Sequence, residues 1–172
     1  MKKALVFLAD GCEMGEALCV VDVLRRAGIN VFTAGVTGER VVSSHNVEIK
    51  ADVMLSEVKN EEWDLVYAPG GMPAATNLAS SSIVNSIILD TYNKGNIVSA
   101  ICASPAVVFG PLGIIKSGKA TCYPGCEDYA PGIDVSKVAE SYGGGGHKYA
   151  AGFSLNEEKF KSLLKIIINS DK

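Results

Sequence analysis

The sequence has no apolar run approaching the ~18 residues that a membrane-spanning helix needs, so no such helix is expected. It also has no excess of basic residues: 16 Lys and Arg stand against 19 Asp and Glu, a net charge of −3. That balance disfavours nucleic-acid binding over the whole molecule, though not at a local basic spot. The five cysteines, Cys12, Cys19, Cys102, Cys122 and Cys126, are odd in number and show no CxxC spacing. A disulfide framework or a structural zinc site is therefore not expected, and a reducing compartment is; the cytoplasm is the default. No linker, low-complexity stretch or repeat interrupts the 172 residues, and one α/β domain is expected over 1–172. The opening MKKALVFLADG has a basic start and a short apolar run but no small-residue cleavage site. It reads as a buried strand rather than a signal peptide.

What is present is the composition of a globular protein, 48% hydrophobic and 20% charged. Residues 3–9 (KALVFLA) form an unbroken apolar run, as a strand covered on both faces requires. Residues 13–27 place apolar side chains at helical spacing and stop at Gly28; INVFTAGV (29–36) follows as a second strand. This βαβ opening predicts a parallel sheet. Residues 40–50 alternate as a hairpin would. Then come a strand at 64–68 running into Pro69-Gly70-Gly71, a helix at 81–94, a strand at 96–101, a short helix from about Ser104, and a strand at 119–122. Beyond Pro131 the texture changes. Asp134 is positioned to cap a helix over 135–142, GGGG (143–146) to end it, HKYAAGFSL to form a strand, and Asn156 to cap a final amphipathic helix.

The segment NIVSAICASPAVV carries the chemistry, because it sets Cys102 where a buried strand turns into a helix. Such a turn exposes a side chain at the carboxyl end of the sheet, where doubly wound folds keep their sites. It brings the sulfur near a helix amino terminus, which favours thiolate. It also leaves the amide of Ala103 free to face a developing oxyanion, with a second donor expected from Gly70-Gly71. The competing reading is a buried, inert cysteine serving as a small apolar residue. His45, in the hairpin, reads as an exposed loop histidine.

The blocks ALVFLADGCEMGEALCVVDVLRRAGINV, YAPGGMPAATNL, SAICASPAVV and ATCYPGCED resemble, in order and spacing, the ThiJ/PfpI (DJ-one) superfamily over about residues 3–129. The resemblance implies a three-layer, flavodoxin-like (class I glutamine amidotransferase-like) α/β sandwich with a mainly parallel sheet. It also implies a reactive Cys102, a protonated Glu16 hydrogen-bonding its thiolate, and backbone donors at Gly71 and Ala103. Where many members have a histidine after the last central strand this chain has Tyr123, an auxiliary donor and a poor base at neutral pH. The implied activity is that of a glyoxalase without glutathione, or a deglycase, acting on small α-oxoaldehydes such as methylglyoxal. No cofactor and no metal is expected; the partners expected are a small carbonyl substrate and a second copy of the chain. Redox sensing, with Cys102 halting at sulfinic acid, is the alternative from the same thiol.

From about residue 132 the sequence IDVSKVAESYGGGGHKYAAGFSL instead resembles the carboxyl-terminal substrate-binding domain of DHH-family phosphoesterases. That implies a hybrid in which residues 132–172 complete a fold built by 1–131. Gly144, Gly145, Gly146 and His147 would be an anion- or nucleotide-binding loop, supplemented by Lys148. The DHH metal ligands are missing, so phosphodiester hydrolysis is not expected. A glycine helix stop explains the same run, and a hybrid whose cysteine site is only vestigial is a third reading.

Overall fold

The computed structural model describes residues 2–115, 121–129, 145–147 and 150–152. Strand β1 (Lys3–Leu8) is the centre of the sheet, and Ala4 to Leu8 are wholly buried. Helix α1 (Met14–Arg26) starts on Glu13, whose carboxylate accepts from the Gly15 amide, and ends on Arg25 and Arg26, cations suited to a helix carboxyl end. Its inner face buries Ala17 and Val21. Gly28, with φ +80°, lets the chain reverse into β2 (Asn30–Gly35). The expected hairpin forms from β3 (Arg40–Val42) and β4 (Glu48–Lys50), antiparallel with Val41 opposite Ile49.

A two-residue strand, β5 (Val53–Met54), then pairs with β2 at the edge. It is too short to leave a periodic signal. Strand β6 (Leu65–Ala68) returns to the other side of β1. Helices α2 (Ala74–Ser80) and α3 (Ser82–Asn93) and strand β7 (Ile97–Ala100) follow. The sheet order is β5-β2-β1-β6-β7, and all its pairings are parallel. With β5 set aside as an edge addition, β2-β1-β6-β7 is the opening order of a flavodoxin-like sheet.

Alternation along β1 builds two cores. Ala4 and Val6 join Val21, Val31 and Tyr67 beneath α1, while Leu5 and Phe7 join Leu78, Val84, Ile87 and Ile88 from α2 and α3 on the opposite face. Three layers result. Helix α2 was not expected from the sequence, since its AATNLAS is short, carries one large apolar residue and has no side-chain cap. Ser81 does cap α3, accepting from the Val84 amide at 3.3 Å.

Three expectations are corrected. The helix expected from Ser104 is one wide turn, Pro105–Phe109, closed by an i to i+5 bond from the Gly110 amide to the Pro105 carbonyl. Of the strand expected at 119–122, residues 121 and 122 are not in a strand and the others lie outside the described residues. Gly145 and Gly146, expected to end a helix in a loop, lie in β8 (Gly145–His147), which pairs antiparallel with β9 (Ala150–Gly152). In that pairing Gly146 stands opposite Ala151. Gly144, Lys148 and the helices expected at 135–142 and after Asn156 lie outside the described residues.

Candidate active site

Between β1 and β6 the chain switches from building one side of the sheet to building the other. At such a switch the loops leaving the two strands diverge and open a crevice at their carboxyl ends. Here the loop after β1 carries Gly11 to Glu13, and the loop after β6 carries Pro69 to Pro73. The two are laced together by the Glu13 amide donating to the Gly70 carbonyl at 3.0 Å. Gly71, at φ +92°, sits so close to this lacing that a Cβ there would collide with the Gly11 carbonyl oxygen and the Glu13 nitrogen.

Cys102 enters from the next strand. The amide of Ile101 is the last to bond β6, to the Ala68 carbonyl, and the chain then turns sharply, with Cys102 at φ +61°. Positive φ is rare for a residue with a side chain, and it commonly marks a functional turn that its surroundings hold in place. Two contacts hold this one. The buried Ser104 hydroxyl donates to the Pro69 carbonyl at 2.6 Å, and the Tyr123 amide donates to the Cys102 carbonyl at 2.6 Å.

Glu16 reaches the same crevice from the first turn of α1. Its Oε2 accepts from the Gly70 amide at 2.8 Å, and carboxyl and Cys102 sulfur face each other across the bare side of Gly70. The backbone amides of Gly71 and Ala103 act on the same thiol, each favouring its ionised form. Gly70 is the gap that lets carboxyl and thiol meet. A Cβ built there would lie 2.5 Å from the Cys102 Cβ, 2.8 Å from Glu16 Oε2 and 2.9 Å from the sulfur.

The fold therefore brings together Cys102, Glu16, Gly71 and Ala103, the four groups expected from the sequence. The glycine pair divides two jobs: Gly70 holds the carboxylate, and the Gly71 amide acts on the thiol. The expectation of a thiol acidified by a helix terminus is corrected. Burial pushes the Cys102 thiol up; the Gly71 amide pulls it down, the Glu16 charge pushes it up again, and the Ala103 amide opposes that, with a net upward shift. A single five-residue turn has little dipole to set against burial.

Tyr67 escaped notice because a tyrosine in a buried strand carries no pattern of its own. Its hydroxyl donates to the Glu16 carbonyl at 3.3 Å, and its ionisation is pushed up to about 12, by burial first and then by Glu16, Cys102 and Cys19. Tyr123 touches the site through its amide, while its ring is 58% exposed. His45 is exposed, as expected, 3.7 Å from Glu13 and 3.0 Å from the Ser44 hydroxyl. Among the described residues no group of His, Cys, Asp or Glu is arranged to hold a metal ion, and no helix is long and apolar enough to cross a membrane.

A three-layer parallel α/β domain with a cysteine on a strained turn beside a glutamate defines a class, and comparison with known proteins identifies it. Residues 2–143 match the DJ-1/PfpI family, and the chain belongs to that family. It is similar to Protein DJ-1 homolog B of Arabidopsis thaliana, 36% identical over 72% of this chain and 28% of that protein, so the chain spans little more than a quarter of that relative. It is also similar to the glutathione-independent glyoxalase DJR-1.2 of Caenorhabditis elegans, 32% identical over 86% of this chain and 72% of that one. Among solved structures, oxidized DJ-1 of Toxoplasma gondii superposes with a TM-score of 0.77 at 32% identity, covering 99% of this chain and 93% of that one. The family match runs on to residue 143, past the change of family expected near 131.

Proposed function

We propose that the protein is a cysteine-dependent glyoxalase that acts on small α-oxoaldehydes such as methylglyoxal without glutathione. The observation that carries the reading is the Glu16 carboxyl, anchored by the Gly70 amide, set beside a Cys102 thiol held on a turn of positive φ. The thiol need not be acidic on its own. As the sulfur adds to the aldehyde carbon, Glu16 takes the thiol proton and the negative charge passes to the former aldehyde oxygen. Glu16 returns that proton to the hemithioacetal oxygen and, again a carboxylate, moves a proton from the former aldehyde carbon to its neighbour while the hydroxyl proton passes to the neighbouring oxygen. The resulting thioester of a 2-hydroxy acid is cleaved by water, which restores the thiol. The Gly71 and Ala103 amides donate to the substrate oxygen as it takes up that negative charge. A relative named as a glutathione-independent glyoxalase, 32% identical over most of this chain, supports the assignment.

The test is lactate formation from methylglyoxal. Wild type turns over, Cys102→Ser does not, and Glu16→Gln loses roughly 10²–10⁴-fold as a proton-transfer group should. Equal lactate production by wild type and Cys102→Ser would refute the proposal.

Oxidation of Cys102 is the second reading, supported by the likeness to a DJ-1 solved in an oxidized form. Clean conversion of Cys102 to sulfinic acid by mild peroxide, without turnover of methylglyoxal, would favour it. Residence in a reducing cytoplasm and pairing with a second copy belong to the same proposal. Anion binding through Gly144, Gly145, Gly146 and His147, on a tail derived from a DHH-family phosphoesterase, is a separate one. It is tested by phosphate titration followed by NMR at residues 143–148.

A further inference from the structure

Cys102 is packed against a small apolar cluster that holds two more cysteines, Cys122 and Cys126, together with Ala75, Ala103, Ala106 and Val107. The glyoxalase reading uses neither of them. Cys122 is 8% exposed and Cys126 7%, so bulk solvent has little access to either sulfur. Their position follows from a backbone bond. Within the sheet, the Ile101 amide donates to the Ala68 carbonyl, and the register sets Ala68 opposite the residue before that donor, Ala100. The Tyr123 amide donates to the Cys102 carbonyl in the same sense, which sets Cys122 beside Cys102 in the next chain segment. Each of the two Cα atoms is only two covalent bonds from one end of that 2.6 Å contact, a separation that reaches the range of roughly 4.4–6.8 Å a disulfide requires between Cα atoms. Cys126 folds back over this segment through a turn closed by its amide on the Tyr123 carbonyl at 3.1 Å.

We propose that Cys122 is a resolving thiol for Cys102. The proposal rests on the reading of Cys102 as the reactive sulfur. A hydroperoxide transfers one oxygen to the Cys102 sulfur, giving the sulfenic acid and releasing water or an alcohol. The Cys122 thiol then attacks the Cys102 sulfur, the S–O bond breaks, and hydroxide leaves with the Cys122 proton as water, leaving a Cys102–Cys122 disulfide. A dithiol reductant returns both thiols. Because the attack is intramolecular, burial of Cys122 is no obstacle to it and protects that thiol from oxidation by outside reagents. The device diverts Cys102 from irreversible sulfinic acid to a reversible state.

The experiment is peptide mapping by mass spectrometry, under non-reducing conditions, of the full chain treated with stoichiometric hydrogen peroxide. The expected product in wild type is a peptide pair joined through Cys102 and Cys122, lost on adding dithiothreitol. Cys122→Ser, checked by circular dichroism for retained fold, accumulates sulfinic acid at Cys102, whereas Cys126→Ser still forms the crosslink. Sulfinic acid at Cys102 of wild type with no crosslink to Cys122 would overturn the inference while leaving the reactive thiol intact, as would a crosslink to Cys126 in its place. Failure of Cys102 to react with either peroxide or iodoacetamide would instead defeat the reading of Cys102 on which it rests.

Discussion

Replacing Gly70 by alanine adds one methyl group at the point where the carboxyl and the thiol approach each other. The backbone of Gly70 is not in the left-handed region, so conformational strain contributes little and the effect is crowding. The new carbon would sit 2.5 Å from the Cys102 Cβ and 2.9 Å from its sulfur, against an ordinary carbon–carbon contact of about 3.5–4.0 Å. Something must therefore move by about 1 Å. The Cys102 backbone is pinned by the Tyr123 amide at 2.6 Å, and the loop carrying Gly70 is pinned by the Glu13 amide at 3.0 Å. The Glu16 side chain, 2.8 Å from the new carbon, is the part free to withdraw. Overpacking of this kind costs about 1–3 kcal/mol, read as a lower denaturant midpoint with an unchanged slope. A displacement near 1 Å in a catalytic pair lowers turnover by about 10²-fold. Wild-type stability together with wild-type lactate production in Gly70→Ala would refute both the crowding argument and the role given to the pair.

Three further outcomes follow from the same contacts. Ser104→Ala leaves the buried Pro69 carbonyl without its 2.6 Å donor and should cost roughly 1–3 kcal/mol in urea denaturation. Tyr67 is held neutral in the folded state to about 12, against ~10 unfolded, so its contribution is complete below pH ~10 and is lost as pH rises towards 12, about 2–3 kcal/mol in all. Tyr67→Phe should flatten that alkaline decline in a stability–pH series. Asp52 is held below the usual carboxylate range: burial works against this, but the Thr33 amide and hydroxyl, each at 2.8 Å, and Arg25 at 2.6 Å prevail. Its contribution is therefore present at neutral pH and lost as pH falls through the folded value, and Asp52→Asn should lessen the acid sensitivity of thermal unfolding while lowering stability at pH 7.

The sequence alone determined the elements whose side-chain pattern is long and strict. The apolar run of β1, the amphipathic α1 with its Gly28 stop and the alternating hairpin at 40–50 all lie within a residue or two of expectation, because burial on a fixed face imposes a period. It also marked Cys102 as a turn residue and, through resemblance, Glu16 as its neighbour. Tertiary structure decided what depends on partners distant along the chain. Helix α2 and strand β5 exist because loops and neighbouring strands position them, not because seven or two residues have a signal of their own. The division of labour between Gly70 and Gly71, the recruitment of Tyr67 and the placement of Cys122 beside Cys102 follow in the same way. So does the direction in which Cys102 is shifted. Local sequence supplied a helix start that would have acidified the thiol, and only the assembled crevice shows burial and the Glu16 charge outweighing it, since desolvation and charge act through space rather than along the chain.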